Sequence, residues 1–169
     1  MNPIQYWMFQ PNGIVIPFPT SAFVPLVDQD IAAILTYLRA NPNITSVANA
    51  VEHLQVEPGT LCPYVLVLDS GQVPYQTFAP ITNVSYLDRQ IIIRVISQDT
   101  TTQSAQTIAR LLLTAIYNTL QGQTIIVDDY RYLNISQGSQ EPTQWENVSE
   151  QVKYLHTGFK WLMVLAPTT

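Results

Sequence analysis

Few side chains in this sequence are equipped for chemistry, and their spacing builds no familiar reactive set. Cys62 is the sole cysteine, the histidines are His53 and His156, and Asp128–Asp129 is the one adjacent acidic pair. A cysteine nucleophile needs a thiolate held by a cation or a helix N-terminus. Cys62 instead precedes Pro63 at the head of an apolar run, with no Lys or Arg within twenty residues on either side. A catalytic histidine needs a nucleophile or carboxylate at hydrogen-bond distance, and neither histidine sits in a motif that supplies one. Two adjacent aspartates on a strand point to opposite faces, so Asp128 and Asp129 suit a turn or a surface better than paired acid–base work. One cysteine and two distant histidines make no tetrahedral metal set. No glycine-rich phosphate loop and no GxSxG elbow is present. The chain reads as non-catalytic, without metal or cofactor.

Composition narrows the class further. Of 169 residues, 47% are hydrophobic and only 11% charged, against roughly 25% charged in ordinary soluble domains. Disorder requires the opposite balance. Seven Lys+Arg against twelve Asp+Glu, net −5, are too few cations for binding DNA through its phosphates. A surface so poor in charge fits contact with other proteins. The N-terminus lacks a basic start, prolines interrupt its apolar stretches, and no run of about 18 apolar residues exists. The chain is therefore expected to be made inside a cell and to stay off membranes.

The elements that would position any site divide the chain in two. Residues 1–27 contain no Asp, Glu, Lys or Arg, but hold Pro3, Pro11, Pro17, Pro19 and Pro25 and five aromatic side chains. Proline fixes φ and removes donors, so this stretch reads as an extended arm. It lies either along its own domain or on a neighbouring subunit. Residues 28–169 read as one α+β domain. Asp28–Ala40 carries Ile31, Ile34, Leu35 and Leu38 at helical spacing, with Asp28 or Asp30 as cap and Asn41-Pro42 as stop. A strand is expected within Ser46–Gln55, and another at Leu61–Leu68, closed by an Asp69-Ser70-Gly71 turn. Gln76–Val84 offers a further strand. Leu87–Ser97 alternates Arg89, Ile91, Ile93 and Val95 with Gln90, Ile92, Arg94 and Ile96, apolar on both faces as in a central strand. Thr100 with Gln103 matches a capping box before a helix lined by Ala105, Ile108, Ala109, Leu112, Ile116 and Leu120, which ends at Gln121-Gly122. Strands follow at Thr124–Asp128, Tyr130–Ile135 and Tyr154–Leu165, and the polar stretch Ser136–Ser149 reads as a loop. The sum is a largely antiparallel sheet packed with two main helices.

Four segments in this order resemble the phage tail terminator (tail completion) family. They are DQDIAAILTYLRANPNI (28–44), VEPGTLCPYVLVL (56–68), RQIIIRVISQDTTTQSAQTIARLLLTAIYNTL (89–120) and VKYLHTGFKWLMVLAP (152–167). The resemblance spans Asp28 to Leu165 and leaves out the arm. It implies a structural protein that forms a ring, usually of six copies, at the head-proximal end of the tail tube. Its partners would be itself, the tail tube protein, a neck or stopper protein, and a sheath protein if the tail is contractile. DNA would be only a passing cargo, and the location would be the virion, assembled in the host cytoplasm.

Interface contacts are expected from Tyr6, Trp7 and Phe9 of the arm and from Tyr75, Phe78 and Tyr86, since Tyr and Trp bury large area at low entropy cost. Asp128, Asp129 and Glu141 are expected on the lumen or on a solvated loop, where negative charge would keep DNA from adhering. Two rival readings are another neck component (a stopper) and a β-rich ligand- or receptor-binding module with an aromatic pocket.

Overall fold

A computed structural model describes residues 27–75, 86–127, 130–149 and 152–167. The first helix, α1 (Val27–Arg39), opens one residue before the expected Asp28, and its Ile31, Ile34, Leu35 and Leu38 are all buried. Asp28 and Asp30 thus fall within the helix and not ahead of it. The Asn41-Pro42 pair ends α1 and also starts a further turn, α2 (Pro42–Thr45). Asn41 Oδ1 accepts from the Asn43 amide at 2.8 Å, while its Nδ2 donates to Thr119 Oγ1 at 2.6 Å. That one side chain caps α2 and ties it to the second long helix.

Strand β1 (Ala50–His53) runs parallel to β2 (Tyr64–Tyr75), whereas every other pairing in the sheet is antiparallel. The turn expected at Asp69-Ser70-Gly71 is instead a bulge. Asp69 pairs with Ile91 and Gly71 with Gln90, so Ser70 is the extra residue and the ladder resumes beyond it. Strand β3 (Tyr86–Gln98) has the two-faced character read from its alternation. Arg89, Ile91, Ile93 and Val95 are buried on the helix side, and Ile96 is fully buried on the other.

Helix α3 (Ala105–Leu120) buries the whole predicted stripe. Its N-cap is Ser104, whose Oγ accepts from the Thr107 amide at 3.2 Å. The expected box at Thr100 and Gln103 is a separate turn one step earlier, with Thr100 Oγ1 accepting from the Gln103 amide at 2.9 Å. Asp99 Oδ1 accepts from the Ala105 amide at 2.7 Å, and Ser97 Oγ donates to the Ala105 carbonyl at 2.9 Å. Three polar side chains therefore fix where α3 leaves the sheet. Gly122, at φ +71°, follows the helix as predicted.

The remaining strands are β4 (Ile126–Val127), β5 (Tyr130–Gln140), β6 (Gln144–Asn147) and β7 (Lys153–Pro167). Most of the stretch expected as a loop, Ser136–Ser149, is thus strand. The path through the sheet is β1-β2-β3-β7-β5-β4, with β6 also on β7. β5 pairs with the C-terminal part of β7 and β6 with its N-terminal part, so the two share one edge of it while β3 holds the other. β7 is paired on both sides, and Trp161, Met163 and Leu155 anchor the core beneath the helices. The architecture is α+β, a mostly antiparallel sheet with α1 and α3 packed on one face. Among the described residues no helix is long and apolar enough to cross a membrane.

Candidate interaction surface

The helix layer leaves part of its sheet face open. The core stripe of α3 (Ile108, Leu112, Ile116) docks on the sheet, and its flank (Ala109, Leu113, Tyr117) forms one wall of a groove of about 430 Å³. Leu155, Thr157 and Phe159 of β7 form the floor. Gln106, Arg110 and Thr114 lie along the helical rim, with Gln137 and Thr143 opposite. Thr143 Oγ1 and Thr157 Oγ1 approach to 3.4 Å, and the Tyr117 ring sits 6.4 Å from Trp161, centroid to centroid, tilted by 45°. Trp145 pairs with Leu155 in the β6–β7 register and so shares its face, 47% exposed. Arg110 is the one charged residue lining the groove among the described residues. Aromatic and aliphatic walls with amide and hydroxyl groups at the rim suit an uncharged, extended peptide.

The opposite face carries polar pairs of its own. Gly158 of β7 is in register with Arg94 of β3, and on its other edge the Gly158 carbonyl accepts from the Glu141 amide at 2.9 Å. The Arg94 guanidinium and Glu141 carboxylate, flanking this glycine from either side, meet at 3.7 Å. Glu141 thus sits in the connection between β5 and β6, its side chain only 15% exposed and paired with a cation. It is not the freely solvated loop carboxylate expected from sequence. His156 Nε2 lies 2.9 Å from Glu146 Oε2, a partner supplied by strand pairing and not by sequence proximity.

Cys62 is buried, and its thiol is pushed up to about 11 by that burial and by the negative charge of Glu146. Tyr64 is raised in the same direction, first by burial and then by Cys62, Tyr154 and Glu146. This is the reverse of the environment that activates a thiolate. Asp69 Oδ1 and Arg89 Nη1 pair at 2.9 Å on the helix side of the sheet, with the arginine 1% exposed. The described residues hold no cluster of three metal-ligating side chains.

Of the expected contact residues, Tyr6, Trp7, Phe9, Phe78, Asp128 and Asp129 lie outside the described residues, as does the strand expected at Gln76–Val84. Tyr75 and Tyr86 are register partners at the end of the β2–β3 pair, their side chains outside the described set. The groove residues Leu113, Tyr117 and Phe159 were not expected as contact residues from the sequence. The available signal was the width of the α3 stripe, since Leu113 and Tyr117 extend the apolar face beyond what one sheet contact needs.

No protein-family model matches the chain, and no curated protein matches it. Among solved structures, it is similar to a chain of the virion of a native gene transfer agent (GTA) particle. The match has a TM-score of 0.56 at 15% identity and covers 84% of this chain and 99% of the other. The fold is shared. At that identity the likeness speaks for the arrangement of sheet and helices, and the match takes in nearly all of the virion chain.

Proposed function

We propose that this protein is a structural, non-catalytic component of a virion, and within it a tail terminator. Copies close into a ring, six in the reading drawn from the family resemblance, at the head-proximal end of the tail tube. The ring ends tube growth and presents a surface to the neck. The observation that carries this reading is the fold shared with a virion chain over nearly that chain's whole length. The buried, protonated thiol and the low charge of the chain support it. Head-to-tail contacts repeated around a closed rotation give a ring without free ends, and a surface poor in charge keeps the desolvation cost of such contacts low. The tube protein, a neck protein and, in a contractile tail, the sheath are its proposed neighbours, with DNA passing through the lumen.

The test is electron microscopy of particles assembled with and without the protein, together with labelling of the protein in complete particles. A terminator is expected at the head–tail junction, and its loss is expected to give overlong, unjoined tails. Tails of normal length on leaking heads would favour a stopper. Normal particles lacking the protein would overturn the virion reading altogether.

A further inference from the structure

We propose that the groove between α3 and β7 receives the charge-free N-terminal segment of an adjacent copy of this chain. The inference deepens the ring reading by naming a contact within it. Two independent features match. The groove offers Leu113, Tyr117 and Phe159 as apolar contacts, with a rim of amides and hydroxyls and a single cation. The sequence before α1 has no charged residue to leave stranded there, and it carries five prolines with Tyr6, Trp7, Phe9, Phe18 and Phe23. Aromatic-lined grooves take proline-rich segments because such a chain enters already extended, with little conformational entropy left to lose.

Length permits the exchange. Twenty-six residues at about 3.1 Å each reach roughly 80 Å, while a body of this size has a radius of gyration of about 15 Å. A segment and a groove that lie at different places on one chain form a heterologous contact. Repeated from copy to copy, such a contact closes a ring where the rotation allows.

The experiment uses the full chain. One preparation carries the photo-cross-linking residue p-benzoylphenylalanine in place of Trp7; it is mixed with a nitrogen-15-labelled, unmodified preparation, irradiated and digested with trypsin. The expected product joins the light N-terminal peptide to a heavy peptide covering residues 111–131 or 154–160. Thr114→Glu, on the exposed rim, and Tyr117→Glu are each expected to lower its yield at least about tenfold, the loss associated with a principal anchor. Cross-links confined to the chain's own groove, cross-links to the helix-free face, or none at all would overturn the proposal. Sedimentation velocity on the same mixture separates this from the ring reading. Closed rings cross-linked elsewhere would sink the groove assignment alone, whereas groove-linked open chains would sink the ring alone.

Discussion

Replacing Gly158 by alanine should cost this fold more than any other single added methyl at a described glycine. A Cβ built there collides with the Ile93 carbonyl oxygen and lies 2.9 Å from Arg94 Cα, both backbone atoms of β3. Real Cβ atoms keep at least 3.0 Å, so the two strands must separate locally. No side chain can swing away to relieve this, because the obstructing atoms belong to the ladder. Overpacking of a core typically costs about 1–3 kcal/mol, and this site belongs at the upper end, about 3 kcal/mol. For a chain of this length that corresponds to a melting temperature lower by about 6–12 °C. The shift also moves the Gly158 carbonyl, which holds the Glu141 amide, and so loosens the Arg94–Glu141 pair. The control is Gly122→Ala, where nothing lies within 4 Å and only the positive φ of +71° is strained, a cost of about 1–2 kcal/mol. Calorimetry or circular dichroism on both variants decides the matter. If Gly158→Ala melts no lower than Gly122→Ala, the close approach of β3 and β7 does not govern stability as argued.

Three further outcomes follow from the same geometry. Ser104→Ala removes the α3 cap and should lower the urea-derived stability by about 1 kcal/mol, whereas Thr100→Ala, which disrupts only the preceding turn, should cost less. Asp69→Ala takes a carboxylate from the buried Arg89 guanidinium and should destabilise by about 3 kcal/mol, while Arg89→Met, which removes the charge and keeps the volume, should be milder; urea midpoints compare the two. The Cys62 thiol is raised in the folded chain from 9.0 to about 11, so between those values the unfolded state binds fewer protons and stability falls as pH rises. The expected loss is on the order of 2 kcal/mol across that window, and Cys62→Ala should flatten it in pH-dependent urea melts.

Much of the fold was legible because burial writes a period into the chain. The alternation of Arg89 to Ile96, apolar on both faces, gave β3 its central place, and the stripe from Ala105 to Leu120 gave α3 its buried side. The misreadings came where tertiary pairing overrides a local signal. Asp69-Ser70-Gly71 has turn chemistry, yet β3 continues opposite it and converts the turn to a bulge. Ser136 to Asn147 lacks apolar alternation because β6 is exposed along its length, and its strand character comes from the β7 backbone it pairs with. The interaction surface was less visible still. Phe159 alternates with Leu155 and Trp161 as core residues do, and nothing local to it says that it is only partly buried while those two are in the core.

β7, which holds β3 on one edge and both β5 and β6 on the other, is also the last described strand of the sheet in chain order. Until it leaves the ribosome, β3 has one edge unfilled, and β5 and β6 have no template to lie against. The residues before Lys153 therefore emerge as a half-sheet that cannot close, with a long span of sequence between the pieces that must meet. Such non-local closure is slow and leaves apolar strand exposed in the interval. Cells overproducing this protein are expected to need chaperone capacity in step with its synthesis.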